Sequence, residues 1–297
     1  MGRLSKKSLG IMQWILMIFL FALTLTMIVP LLHILARSLS DPAQSGSMNG
    51  LDIIPNGFSL INYQVLFSNQ YIVPSIFNSI FITTVGTLIN MLLTMCAAYV
   101  LTRPNLVGKK ILMAFFIVMM LFDPGIVPEY IVIRQLGLMG TKWSVILSQA
   151  CNVYYLVIMM RYFESVPKTL CEAATIDGAG HFNILFRIMA PLSKAGIATL
   201  TMFYGVVRWN EYYRAGIYIS SITEVPLQVI LRKFVVNGDV TNLVGAQNLM
   251  EYNQLAQLDY TALQYATIVV AIIPILLVYP LVLKYYNKDV MAGGVKE

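Results

Sequence analysis

Charged residues are scarce in this chain of 297 residues. They make up 11% of it, whereas apolar residues make up 58%. A soluble domain carries about a quarter charged residues, so this composition excludes an ordinary water-soluble fold. A lipid bilayer is the solvent that such a surface requires.

Motifs for catalysis, nucleotides and metals are also missing. The chain has no G-x-x-x-x-G-K-[ST] phosphate loop, no H-E-x-x-H and no G-x-S-x-G. Its three cysteines, Cys96, Cys151 and Cys171, show no paired spacing and are expected to be small buried hydrophobes. No catalytic residue, metal site or cofactor is therefore predicted on this chain, and its energy must come from a partner or an ion gradient. The net charge of +6 forms no basic stripe among aromatics, so no nucleic-acid partner is expected.

Long apolar segments dominate what remains. Crossing a membrane takes about 20 apolar residues, and backbone groups in lipid must be satisfied within the segment, which favours helices. Six windows qualify or nearly so, and they predict an all-α membrane protein with a single transmembrane domain over residues 1–297. The windows are 11–35, 75–101, 109–133, 143–163, 195–219 and 262–286.

The lysines and arginines predict the orientation of the spans. Cytoplasmic loops are enriched in these residues, and an arrangement with both termini in the cytoplasm places most of them inside, among them Arg103, Lys109, Lys168 and Lys194. Two long outer loops result, 38–73 and 220–261. They are expected either to meet a delivery protein or to act as simple connectors with short helices.

The segment 164–191 is a polar connection between two apolar windows. Pro167 can begin a helix, Gly178 and Gly180 can break it, and Pro191 is expected to end a second helical piece. The predicted structure is a helix–turn–helix at the membrane surface. An amphipathic connector lying on lipid remains an alternative, although such helices usually carry lysine and arginine along their polar face.

Residues 168–191 resemble a specific loop of known proteins. The order Glu172-Ala173-Ala174, then Ile176-Asp177-Gly178-Ala179, is similar to the Glu-Ala-Ala coupling loop of permease subunits in bacterial ATP-driven (ABC) importers of the maltose type. Phe203-Tyr204 with Trp209-Asn210 resembles their fifth span, and the ending Val290-Met291 with Gly293-Gly294 resembles a subgroup for complex oligosaccharides. Departures at Cys171, Gly180 and Ala190 are expected to loosen the second short helix.

The resemblance implies partners and a role. The chain would form half of a heterodimeric sugar pathway in the bacterial cytoplasmic membrane, beside a second homologous permease. Two ATP-binding subunits, which carry ATP and Mg, would dock on Glu172, Ala173, Ala174, Asp177 and Gly178, and an extracytoplasmic binding protein would deliver the sugar. A non-sugar substrate, a gradient-driven secondary transporter and a membrane scaffold are the alternatives.

Polar residues within the fifth window suggest a substrate path. Aromatic rings beside amides and acids suit sugars, and on this ground Trp209, Asn210, Glu211 and Tyr213 are predicted to line it. An interfacial aromatic belt explains Trp209 and Tyr212 equally well. Arg208 and Glu211 lie three residues apart and are expected to pair on one helix face, and a structural ion pair is the alternative to a path. In the third window Pro124-Gly125 and Pro128 are expected to break the helix near Asp123 and Glu129.

Overall fold

The computed structural model describes residues 11–104, 106–122, 124–238 and 259–293, with side chains up to residue 280. These residues are helical, apart from loops and one isolated bridge between Ser40 and Phe58. The α-helices, numbered in chain order, are α1 Ile11–Ser38, α2 Pro42–Ser45, α3 Ile61–Ser68, α4 Ile72–Leu101, α5 Lys109–Leu121, α6 Ile126–Gln135, α7 Lys142–Ser148, α8 Val153–Glu164, α9 Lys168–Ile176, α10 His181–Asn183, α11 Ala190–Leu192, α12 Lys194–Trp209, α13 Tyr213–Tyr218, α14 Leu227–Val235 and α15 Tyr260–Gly293. A π-helical stretch, Ile184–Met189, lies between α10 and α11.

Three helices are long and apolar enough to cross a membrane, and there are up to six spans if each bent pair of helices counts as one. The long ones are Ile11–Ser38, Ile72–Leu101 and Tyr260–Pro280, which confirms helices in the first, second and sixth windows. The bent pairs are Lys109–Leu121 with Ile126–Gln135, Lys142–Ser148 with Val153–Glu164, and His181–Leu192 with Lys194–Trp209.

Two sequence expectations about these helices are wrong. The third window does break between α5 and α6, at Pro124-Gly125 as expected. Pro128 does not contribute to the break, because it lies in the first turn of α6, where its missing N–H costs nothing. The fifth window is not one helix. Its helix α12 has 16 residues, about 24 Å at the α-helical rise, and a separate short helix, α13, follows. Asp123 lies outside the described residues.

Contacts divide the chain into two compact units. The first unit contains residues 1–69 and 237–272. Here Asn62 donates its side-chain amide to the carbonyls of Ser38 and Ser40, both at 3.1 Å, and so satisfies the end of α1.

Asp259 is the polar centre of this first unit. Its carboxylate accepts hydrogen bonds from Arg37 at 2.9 and 3.0 Å and from Ser45 at 2.7 Å. Burial opposes ionisation of Asp259, but these hydrogen bonds outweigh it and hold the pKa of the carboxyl below its usual value. The loop 38–73, which is predicted to lie on the outer side, is thus tied to the start of the last helix. Residues 239–258 of the other predicted outer loop lie outside the described chain.

The second unit contains residues 70–236 and 273–297. Helix α4 is its centre and packs against α7, α8, α12 and α14. Helices α8 and α12 approach closely at Gly196, where a Cβ atom would lie 2.3 Å from the ring of Tyr162. Glycine is therefore required at that crossing.

Candidate functional site

The segment 164–191 folds as a helix–turn–helix, as predicted. Pro167 is the N-cap of α9, and the helix ends at Ile176 with Asp177 as its C-cap. Gly178 follows with φ +80°, a left-handed conformation that side chains disfavour. The amide of Ala179 then donates to Ala174 at 2.9 Å and closes the turn. Pro191 does not end the second piece, because that piece continues to Leu192.

Helix α9 is anchored on one side only. Cys171 is buried, Ala174 packs against the core of the second unit, and Cys171 contacts the sulfur of Met189 at 3.4 Å. Glu172, Ala173, Asp177 and Gly178 are all exposed. The outer surface of the segment therefore combines small and acidic residues and is free to receive another protein.

Large apolar side chains on the same segment are also exposed. Ile176 is 86% and Phe182 is 76% exposed, and Phe182 stacks on Phe186 with ring centroids 6.4 Å apart. Contiguous exposed apolar patches mark surfaces that contact another protein or a membrane. The second piece contains the π-helical stretch Ile184–Met189, a form rare outside functional segments.

The second region of interest is the break in the fourth window. Helix α7 ends at Ser148 and α8 begins at Val153, with a bend of 55°. Arg208 from α12 reaches the end of α7 and donates to the carbonyls of Val145 at 2.7 Å, and of Ile146 and Gln149, both at 2.8 Å. A guanidinium thus replaces the amide donors that the broken helix lacks, and its charge complements the negative end of the helix dipole.

Neighbouring helices complete the support of this break. Asn90 of α4 accepts from Arg208 at 3.0 Å and donates to the carbonyl of Gln149 at 3.2 Å. The hydroxyl of Tyr204 accepts from the amide of Asn152 at 3.1 Å and bonds Thr94 at 2.8 Å. The break is therefore held from both α4 and α12.

A polar cavity of about 150 Å³ lies beside the break. Its lining includes amides, hydroxyls and one guanidinium, from Asn90, Gln149, Asn152, Tyr155, Tyr204 and Arg208. Polar groups within a membrane-spanning region mark pathways and binding sites more often than packing. These groups can donate to and accept from hydroxyls. No cluster of potential metal ligands is present among the residues that the structure describes.

The expected pair between Arg208 and Glu211 does not form. Glu211 instead accepts from the backbone amide of Arg214 at 3.0 Å and lies 3.7 Å from its guanidinium. Arg214 binds Glu129 through two hydrogen bonds at 2.8 and 3.1 Å, and Tyr218 donates to Glu129 at 2.8 Å. Helix α12 ends at Trp209, so Arg208 and Glu211 do not share a helix face.

The four residues predicted to line a substrate path are separated by their environments. Asn210 is exposed, and its side chain bonds the carbonyl of Val206 at 2.9 Å, which helps to end α12. Tyr213 is 51% exposed. Trp209 is 6% and Glu211 is 8% exposed. Only Asn210 and Tyr213 thus present accessible side chains in this conformation.

Sequence reasoning missed Asn90, Gln149 and Asn152 as members of a polar site. Each is an amide inside an apolar window, and that was the signal available. A second signal was the glycine at position 86, within the same apolar window as Asn90. The structure gives the reason for it, because a Cβ atom there would lie 3.2 Å from Nε of Arg208. The hydrogen bonds of these amides join residues 52 to 118 positions apart, so their pairing needed the tertiary structure.

Proteins similar to this chain include subunits of bacterial transport systems. The chain is 35% identical over 283 residues to the polygalacturonan/rhamnogalacturonan transport system permease protein YtcP of Bacillus subtilis (strain 168), covering 94% of this chain and 96% of that protein. A bacterial ABC transporter involved in the import of the acidic polysaccharide alginate has a crystal structure that matches with a TM-score of 0.87 at 28% identity, covering 93% of this chain and 96% of that one. The chain belongs to the permease family of ABC transporters.

Another relative of the permease is Protein LplC of Bacillus subtilis (strain 168), 36% identical over 271 residues, with 91% of this chain and 89% of that protein covered. No protein-family model matches the chain. The relatives with transport names confirm the resemblance that the segment 168–191 indicated, and these named relatives are transporter subunits rather than enzymes. As a membrane permease of this family, the chain works with ATPase and solute-binding partners.

Proposed function

We propose that this permease is one half of a heterodimeric pathway that imports oligosaccharides across the bacterial cytoplasmic membrane. Six spans, of which three are bent, would place both termini in the cytoplasm, in the manner of maltose-type importers. The apolar windows and the distribution of lysine and arginine support this topology.

The partners would be a second homologous permease, two ATP-binding subunits that carry ATP and Mg, and an extracytoplasmic binding protein. The observation that carries the proposal is the exposed helix–turn–helix at 168–191. It presents Glu172, Ala173 and Gly178 outward, beside the apolar side chains of Ile176 and Phe182. Such a surface suits a cleft in a partner protein better than it suits water.

The mechanism would be alternating access. Closure of the ATP-binding subunits would move the short helices as rigid bodies, and these would pass the motion to the spans. Helices packed as closely as α8 and α12 at Gly196 transmit displacement rather than absorb it.

The substrate would be an oligosaccharide, because one relative is named for the transport of arabinooligosaccharides and another for that of polygalacturonan and rhamnogalacturonan. Asn210, Tyr213, Glu211 and Trp209 would line its path, together with the polar cavity beside Arg208. Two of these four residues are exposed, and the cavity offers amide and hydroxyl groups that match sugar hydroxyls. This part of the proposal concerns the chain's own residues and is independent of the docking surface.

The docking surface is tested with Glu172→Ala and Gly178→Asp. Either change should weaken co-purification of the ATP-binding subunits, and the double variant should abolish uptake while the chain still inserts in the membrane. Matched controls are Glu224→Ala and Gly140→Asp, because Gly140 has the same left-handed backbone, φ +77°, with open space around it. Both control residues lie on the predicted outer side.

Backbone strain is the same in the two glycine variants, so a difference between them isolates docking. Retention of the ATP-binding subunits and of uptake by the double variant, at matched membrane levels, would refute the coupling role of this segment. Loss in the control variants as well would point to misfolding and would also count against it.

A further inference from the structure

The second piece of the coupling segment is attached to α4 by a directional contact. Nδ1 of His181, the first residue of α10, lies 3.1 Å from the hydroxyl of Tyr99, and the two rings meet edge to face with centroids 6.0 Å apart. Tyr99 is 5% exposed and belongs to the core of the second unit. The exposed segment is thereby joined to a side chain that cannot move independently of its helix.

Arg103 completes this arrangement from the end of α4. Its guanidinium lies over the ring of Tyr99, 4.0 Å from the centroid, and fixes the plane of that ring. Two of its nitrogen atoms, Nε and one Nη, are buried and have no hydrogen-bond partner among the described residues.

Other contacts of the segment are of a different kind. Within the described chain, the bond between Tyr99 and His181 is the single side-chain hydrogen bond that links residues 168–191 to a predicted span. Cys171 and Ala174 pack by apolar contact alone. Apolar contact is non-directional, so it allows two helices to slide along each other. A hydrogen bond has a preferred geometry and therefore fixes the position of one helix relative to the other.

We propose that Tyr99, His181 and Arg103 form the joint through which the coupling segment moves α4. The three are positioning residues, and the proposal rests on the docking role of residues 168–191. Helix α4 also carries Asn90, which holds the break beside the polar cavity. Motion of the docked ATP-binding subunits would reach the cavity along this helix.

The test is hydrogen–deuterium exchange of the assembled transporter with and without ATP and vanadate, which needs no substrate. In the wild type, amides of both 168–191 and the cytoplasmic end of α4 should change their exchange. In Tyr99→Phe the segment should still respond, while the response of α4 falls about fivefold, the change expected when one ordinary hydrogen bond is lost. Tyr279→Phe is the matched control, because Tyr279 is 53% exposed in the last helix.

Two further variants separate the joint from a merely structural effect. His181→Leu should match Tyr99→Phe, and the double variant should be no worse than either, because both remove the same bond. His181→Gln, which can still bond the hydroxyl, should restore part of the response. An unchanged α4 response in Tyr99→Phe, or additive losses in the double variant, would overturn the joint. Absence of any response of 168–191 in the wild type would overturn the docking role, and the joint with it.

Discussion

Replacing Arg208 by methionine should destabilise the permease by about 2–4 kcal/mol. Methionine keeps much of the side-chain length but removes every donor. Ser148 still reaches the carbonyl of Val145, and Asn90 still reaches that of Gln149. The carbonyl of Ile146 and the amide oxygen of Asn90 then have no donor among the described residues.

The expected loss of stability is the cost of leaving those two acceptors, the carbonyl of Ile146 and the amide oxygen of Asn90, without a donor. An unsatisfied buried group costs about 1–3 kcal/mol, and part of this sum is offset because the buried charge, itself costly, is gone. A loss of this size corresponds to a fall in Tm of about 5–10 °C for a chain of this length. Lysine is not a substitute, since one ammonium group cannot span three carbonyls in a fork.

Thermal unfolding in detergent, followed by size-exclusion fluorescence, measures this shift. The control is Arg161→Met. Arg161 is 80% exposed, and its bond to Glu164 is a surface pair, worth at most about 1 kcal/mol. A Tm for Arg208→Met within about 1 °C of wild type would refute the view that Arg208 caps α7.

Gly86→Ala offers the same test with Arg208 retained. The new Cβ would lie 3.2 Å from Nε and 3.3 Å from Cδ of that arginine, so the guanidinium must shift. Gly205→Ala is the matched control, because its nearest neighbour, Oγ1 of Thr87, is 3.8 Å away. The first variant should lose stability and the second should not.

Three more outcomes are expected. Gly196→Ala should lower Tm more than Gly205→Ala, since its Cβ would overlap the ring of Tyr162, and equal Tm values would contradict the close helix crossing. Asp259→Asn should lower Tm at pH 7, because the lowered pKa of Asp259 contributes its full stabilisation at pH values above the ordinary pKa of about 4. That difference should shrink as pH falls through the folded pKa, and a constant difference down to pH 3 would exclude the carboxylate as its source. Asn210→Leu with Tyr213→Ala should reduce oligosaccharide uptake while the ATP-binding subunits still co-purify, and normal transport would remove the path role of the fifth window.

Much of the structure of the segment 164–191 could be predicted because it is local. Pro167, Gly178 and Gly180 act through their own backbone preferences, and the alternation of small, acidic and apolar residues is read within two turns of helix. The existence of the apolar spans is equally local, since about 20 consecutive apolar residues suffice. The resemblance of residues 168–191 to a family loop then led to the family that the relatives confirm.

Helix breaks were harder to predict. The rule that proline and glycine break helices depends on where in the helix the residue lies. Pro128 is harmless because the helix starts just before it, whereas the fourth window breaks at residues without proline or glycine. The break between Ser148 and Val153 persists because distant side chains satisfy the freed carbonyls.

The amino-acid sequence by itself determined that this is a membrane protein, that it is helical, and that a helix–turn–helix lies between two of its apolar segments. Length, composition and backbone preference act over short distances, and they decide those features. Only the tertiary structure decided that Arg208 binds the end of α7 rather than Glu211, and that His181 meets Tyr99. Both contacts join residues more than sixty positions apart, where a pattern along the chain says nothing about which donor will reach which acceptor.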